Sequence, residues 1–334
     1  MTFDVHAHVI VPEITGGGDW RPKVWRDDAG NQVVELGGKQ IRAAVQEFVD
    51  IDRILAAQDD AGVDRVLLCP WVPLLYYDAD PRDGLARARI QNEALSGLVQ
   101  SRPDRVAALG AVPLQDPVLA AREVGALMDE GVLRGVEVAA SVHGVFLGDD
   151  RFEPFWEAAE AAGALVFVHP TTRGFDSPAF QDYYLWNTVA NPLETATTAA
   201  HMVVAGVMER HPGLRVLLAH GGGALMAVRG RMRHAHGFQP QARARLRESP
   251  EDSIRRFHFD TLTHDAALLR ALISYVGHEH VLLGSDYPFD MGDARHVEWV
   301  RALELEPDVE AAILAGNAER LLGLGAARGE ETLT

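Results

Sequence analysis

Short aliphatic runs recur along this chain, each followed by an amphipathic stretch rich in alanine and leucine. The runs are Phe3 to His6, Val66 to Cys69, Val106 to Val112, Gly135 to Val138, Leu165 to Val168, Arg215 to Ala219, His258 to Thr261 and Val281 to Gly284. Near-continuous apolar strands alternating with helices predict a parallel sheet covered on both faces. Eight such units make an α/β fold of the closed (β/α)8 barrel type the expectation, ahead of an open doubly wound sheet. No Gly-x-Gly-x-x-Gly follows any of the runs, which weakens the dinucleotide-binding alternative.

One segment breaks the rhythm. Residues 12–42 show no helical period; Gly16-Gly17-Gly18, Ala29-Gly30-Asn31 and Gly37-Gly38 mark turns instead. Between them, Lys23-Val24-Trp25 and Gln32 to Leu36 read as short strands of a small antiparallel insertion. It leaves directly after the first strand, so it is expected over the barrel face that carries active sites. Residues 1–325 read as one barrel domain, and the polar residues 326–334 as a tail.

Composition narrows the chemistry. The 334 residues carry 48 Asp and Glu against 31 Lys and Arg, a formal charge of −17. Lys23 and Lys39 are the only lysines, leaving 29 arginines. A lysine Schiff base therefore has two candidates, and the Gly-Lys-Ser/Thr of a P-loop is absent. The acidic balance argues against nucleic acid or anionic membrane as partners. Cys69 is the single cysteine, so no intramolecular disulfide and no Cys-cluster metal site can form. No apolar run reaches the eighteen or so residues of a membrane span, and the N-terminus carries no secretory signal. The expectation is a cytoplasmic protein.

The ends of the runs carry the chemistry. His6-Ala7-His8 closes the first, and alternation along a strand puts both imidazoles on one face. The fifth run ends in His169-Pro170, the sixth in His220-Gly221-Gly222-Gly223, and the eighth in Gly284-Ser285-Asp286-Tyr287-Pro288. In a barrel all of these open on the C-terminal face, and imidazoles with one carboxylate suit a borderline divalent ion such as Zn2+. His143, after the fourth run, is a candidate pocket residue on the same face. Cys69, ahead of Pro70, reads as a small buried apolar residue rather than a nucleophile.

These pieces, with Asp60-Ala61-Gly62-Val63-Asp64, Val112-Pro113-Leu114-Gln115-Asp116 and Leu283 to Phe289, resemble the amidohydrolase superfamily. Within it the chain is similar to the 2-amino-3-carboxymuconate-6-semialdehyde decarboxylase-like branch, from Phe3 to about Leu322. The resemblance implies His6, His8, His169 and Asp286 as ligands of one Zn2+ per subunit, with another divalent ion such as Mn2+ as the substitute. It implies His220 as the acid/base beside the metal, with Asp286 part of the catalytic set. Two-metal relatives bridge their ions with a carboxylated lysine on the fourth strand. Gly135 to Val138 has none, although Glu137 offers a carboxylate there.

The resemblance further implies that Arg42 holds a substrate carboxylate and that Arg231 reaches the site from a neighbouring subunit, which requires a homodimer. Guanidinium forks suit bidentate carboxylate binding. Trp186 and Asn187 fall where the family has an aromatic pocket wall. The sequence departs from the branch at Thr171 to Gly174, where Arg173 offers a further anion contact, and at Val142-His143-Gly144. The expected function is a zinc-dependent, nonoxidative decarboxylase of a small unsaturated or aromatic carboxylic acid in a catabolic pathway. His-x-His, where benzoate-type relatives have Glu-x-His, leans towards muconate-like substrates. The alternatives are a metal-dependent hydrolase or hydratase acting on a lactone or oxo-dicarboxylic acid, and a noncatalytic binding barrel.

Overall fold

The aliphatic runs become eight strands: β1 (Phe3–Val9), β2 (Arg65–Pro70), β3 (Val106–Ala108), β4 (Gly135–Ala139), β5 (Leu165–His169), β6 (Arg215–Leu218), β7 (His258–Asp260) and β8 (Val281–Leu282). They come from a computed structural model that describes residues 1–16, 18–28, 30–41 and 47–324. One ladder runs β1-β2-β3 and a second runs β4-β5-β6-β7-β8, parallel throughout. At one seam the Val5 N–H donates to Leu283 O (2.8 Å) and the His8 N–H to Tyr287 O (2.7 Å). At the other, the Gly110 N–H donates to Gly135 O and the Glu137 N–H to Gly110 O, both 2.9 Å. These bonds complete the ring of eight.

A helix follows each strand: α1 (Ile51–Asp60), α2 (Pro81–Ser101), α3 (Pro117–Glu130), α4 (Glu153–Ala161), α5 (Asn191–Val204), α6 (Leu225–Phe238), α7 (Ala266–Val276) and α8 (His296–Arg301). Several of their starts carry side-chain caps. Asp50, Asp116 and Asp265 each accept from a backbone N–H of the following first turn, satisfying donors that the helix leaves free. Alternation along the strands splits the core. Val66, Leu68, Val136, Val138, Val166 and Val168 pack outward against the helices. Leu67, Cys69, Leu109, Leu165, Phe167, Leu217 and Leu282 fill the barrel interior.

β1 contains the one irregularity that matters for the site. Its pairing with β2 shifts between Asp4, opposite Val66, and Ala7, opposite Leu68. One extra residue is therefore accommodated, and the inward-facing set changes parity. Phe3 and Val5 belong to the interior cluster, whereas Ala7 and Val9 pack outward. Without this bulge His6 and His8 would point at the helices; with it both face the barrel axis. Asp4 stabilises the irregularity, its Oδ1 accepting from the His6 N–H at 3.0 Å and the Ser285 N–H at 3.1 Å.

The early insertion is a three-stranded antiparallel sheet, Lys23–Arg26, Gln32–Leu36 and Lys39–Ile41. The third strand was not anticipated. Gly37 and Gly38 have φ of 57° and 76°, the pair of positive values that a tight two-residue hairpin demands, so the chain returns at once as a strand. Among the described residues no helix is long and apolar enough to cross a membrane.

Candidate metal centre and active site

His6, His8, His169, His220 and Asp286 meet at the C-terminal mouth of the barrel. The His6 ring lies 5.2 Å from His8, 5.3 Å from His169 and 5.2 Å from His220, centroid to centroid. Asp286 Oδ1 is 3.1 Å from His6 Nε2, 3.3 Å from His8 Nε2 and 3.8 Å from His169 Nε2. Asp286 Oδ2 is 3.2 Å from His220 Nε2.

The second ring nitrogen of each imidazole decides its role. His6 Nδ1 donates to Asp260 Oδ2 (2.7 Å), His8 Nδ1 to Pro70 O (3.1 Å) and His169 Nδ1 to Pro170 O (3.0 Å). A carbonyl or an ionised carboxylate only accepts, so each Nδ1 carries the proton, and in the neutral ring Nε2 keeps its lone pair. Those three Nε2 atoms and Asp286 Oδ1 are buried and make no hydrogen bond. Four converging, unsatisfied donor atoms would be costly in a dry interior unless a cation holds them together. The set fits one divalent ion.

His220 differs. Its Nδ1 has no partner among the described residues, while Nε2 donates to Asp286 Oδ2 at 3.2 Å, so the proton sits on the nitrogen that faces the centre. Its side chain is 16 % exposed against 0 % for His6 and His8. It nonetheless stands close enough to ligate: one atom each of His6, His169, His220 and Asp286 lie within 4.8 Å of one another. A water-reachable imidazole next to a metal set is suited to carry a proton.

Charge follows from this packing. Burial works against a charged His6, but Asp286 and Asp260 on either side outweigh it and push the imidazole up to about 10. An ion taking the Nε2 lone pair competes with that proton, so ion binding releases protons and weakens as pH falls. His169 is pulled down to about 3 by burial and by the neighbouring His8 and His220, and burial lowers His8 as well. Asp286 is held ionised, well below the usual carboxylate range, because His6, His169 and His220 outweigh its burial.

Two acids that the sequence reading passed over build the frame. Asp260 ends β7 fully buried, and its carboxylate takes four donors. Besides His6 Nδ1, Oδ2 accepts from the His220 N–H (2.8 Å), and Oδ1 from the N–H of Gly221 (2.7 Å) and Leu262 (3.1 Å). Its signal was a carboxylate closing an otherwise apolar strand. Glu194 on α5, also buried, accepts from the Thr171 N–H and hydroxyl at 2.8 and 2.7 Å, anchoring the loop that leaves His169.

Backbone strain marks the same points. His220 and Asp286 both have φ of 57°, unusual for residues with a Cβ, and in each case the twist sets the side chain towards the centre. Gly223 permits the turn after His220, because a Cβ there would sit 2.1 Å from Pro192 O.

The remaining expected residues are more scattered. Arg42 lies outside the described residues. Arg231 is exposed on α6 with no ion pair among the described residues. Trp186 and Asn187 stand half-buried in a single π-helical turn, Trp186–Ala190, with the Trp186 ring 5.1 Å from Tyr184. His143 occupies a hairpin tip, its Nε2 3.4 Å from Asp78. Arg173 is engaged by Asp78 (3.4 Å) and Asp176 (3.3 Å). Glu137 lies inside the barrel, Oε1 3.8 Å from His8 Nδ1, with neither oxygen hydrogen-bonded among the described residues and its carboxyl raised well above the usual range by burial.

A (β/α)8 barrel with three tethered histidines and an aspartate at its mouth defines a metal-dependent barrel enzyme. The family model described as Amidohydrolase matches residues 3–324, and the chain belongs to that family. A 2-amino-3-carboxymuconate-6-semialdehyde decarboxylase from Dictyostelium discoideum is 29 % identical, covering 97 % of this chain and 92 % of its own. A 6-methylsalicylic acid decarboxylase from Aspergillus aculeatus is 31 % identical over 68 % of this chain and 70 % of its own. The crystal structure of 5-carboxyvanillate decarboxylase from Sphingomonas paucimobilis superposes with a TM-score of 0.76 at 30 % identity, covering 83 % of this chain and 84 % of that one.

Proposed function

We propose that this chain is a zinc-dependent nonoxidative decarboxylase of a small aromatic or unsaturated carboxylic acid. The observation that carries the reading is the division of labour among the histidines: three held at Nδ1 with Nε2 making no hydrogen bond, and one held at Nε2 by Asp286. A bound divalent ion supplies Lewis acidity and a fixed positive charge at the mouth. His220 holds a proton at Nε2 beside Asp286 and delivers it to the substrate carbon that bears the carboxylate. The C–C bond then breaks, its electron pair returns to the conjugated system, and CO2 leaves, so the product gains one proton and loses one CO2. Asp260 keeps His220 in its strained turn throughout.

Three imidazoles and a carboxylate favour Zn2+ over the oxygen-preferring Mn2+. Stripping the metal with a chelator is expected to lower CO2 release from acids such as 6-methylsalicylate by about a thousandfold or more. Zn2+ should restore it. Equal turnover by stripped and reconstituted protein sinks the reading, and product formation without CO2 points to a hydrolase or hydratase instead.

The same reading makes the enzyme a homodimer in which Arg231 serves the neighbouring subunit's site and Arg42 holds the substrate carboxylate. An exposed guanidinium without a partner on α6, the helix that follows His220, supports it. Mixing inactive Arg231→Ala with inactive His220→Ala protein should restore partial activity. No recovery after demonstrated subunit exchange would place Arg231 outside the site.

A further inference from the structure

The loop after β5 and the loop after β8 touch, although β6 and β7 separate their strands on one side and β1 to β4 on the other. Contact between them crosses the mouth. The Tyr184 hydroxyl donates to Asp290, 2.9 Å to Oδ1 with Oδ2 at 3.2 Å. Each partner belongs to a segment that also supplies a proposed metal ligand, His169 on one side and Asp286 on the other. The turn bearing Asp290 is closed by the Gly292 N–H donating to Phe289 O (3.0 Å), and the Phe289 ring lies 5.4 Å from His8. Asp290 is exposed and Tyr184 half-buried, so the bridge lies on the solvent side of the mouth, next in the chain to a ring that touches His8. Tyr184 is held there in a strained backbone, φ 64°, with its ring against Trp186.

We propose that Asp290, oriented by Tyr184, is the specificity determinant at the rim of the mouth, selecting a monocarboxylic acid that carries a hydroxyl or amino group. The inference rests on a carboxylic acid being the substrate and adds what its far end must be. One hydrogen from Tyr184 leaves the Asp290 carboxylate with lone pairs to spare, so it accepts a further hydrogen bond from a substrate donor. Burial and the adjacent carboxylates raise the Tyr184 hydroxyl, which stays a donor. A second substrate carboxylate at this place would meet Asp290 as a like charge. Arg173, the one cation between His169 and Asn191, is already engaged by Asp78 and Asp176.

The test is calorimetric binding of 3-hydroxybenzoate and of isophthalate to the full-length, zinc-loaded protein, with metal content and circular dichroism checked for each variant. Wild type should prefer 3-hydroxybenzoate by roughly tenfold or more. Asp290→Asn should bring the two affinities within about threefold, chiefly by improving isophthalate. Tyr184→Phe keeps the Asp290 charge and should still reject isophthalate. Equal or absent binding of both acids to wild type overturns the proposal, as does an unchanged ratio in folded, metal-loaded Asp290→Asn. Wild type that shows the preference yet releases CO2 from no acid sinks the decarboxylase reading and leaves this one standing. Decarboxylation with a ratio that ignores Asp290→Asn does the reverse.

Discussion

His220→Ala is expected to keep its divalent ion and to lose turnover by roughly 10^2 to 10^4-fold, the range of a lost general acid–base group. The expectation follows from where the ring is not held. His6, His8 and His169 each have Nδ1 tied to an acceptor, whereas His220 Nδ1 has no partner among the described residues. A ring held at Nδ1 offers Nε2 to an ion, whereas His220 presents its Nε2–H against Asp286 Oδ2 and so carries the proton towards the centre. Proximity by itself does not separate the roles, since His220 lies within ligating distance of the same centre. Metal content of the purified variant, measured beside its turnover, does. Loss of the ion with His220 would make it a ligand, and retained activity would remove it from the mechanism.

Asp260→Asn is expected to weaken metal binding by about 10 to 100-fold, as loss of a carboxylate behind a ligating histidine does elsewhere. It should also destabilise the fold by roughly 2–5 kcal/mol. Four donors converge on this carboxylate: His6 Nδ1 and the N–H groups of His220, Gly221 and Leu262. An amide offers one oxygen in place of two and turns an NH2 towards N–H groups, leaving buried donors without acceptors. Burial alone would raise the Asp260 carboxyl, but the His6 hydrogen bond and the charges of His6 and His220 hold it below the usual range. Competition with a chromophoric chelator measures the affinity, and thermal melting with and without Zn2+ measures the stability. Wild-type affinity in the folded variant would show that His6 needs no such partner.

Much of the fold could be read along the chain because it is local. Apolar runs bounded by Gly, Pro and capping Asp dictate strand–turn–helix units whatever they pack against, and eight of them have one compact closed solution. The family followed from the strand ends, and the hairpin at Gly37-Gly38 was written in the sequence although its third strand went unread. The donor atoms were legible for the same reason: histidines at i and i+2, and single residues closing apolar runs, fall where a barrel must expose them.

What the sequence by itself determined, then, was the strands and helices of the barrel, the side chains that converge at its mouth and the face on which they lie. Tertiary structure alone decided their orientation. Simple alternation from Phe3 and Val5 would turn His6 and His8 outward; the bulge that reverses them exists only because β1 must pair with β2 and because Asp4 takes the His6 N–H. Likewise Asp260 and His6 are 254 positions apart, and Tyr184 and Asp290 are 106 apart, so no local pattern links either pair. Ring closure brings them together. Side-chain direction and hydrogen-bond partnership are properties of that closure, and in this protein they distinguish His6, His8 and His169 from His220.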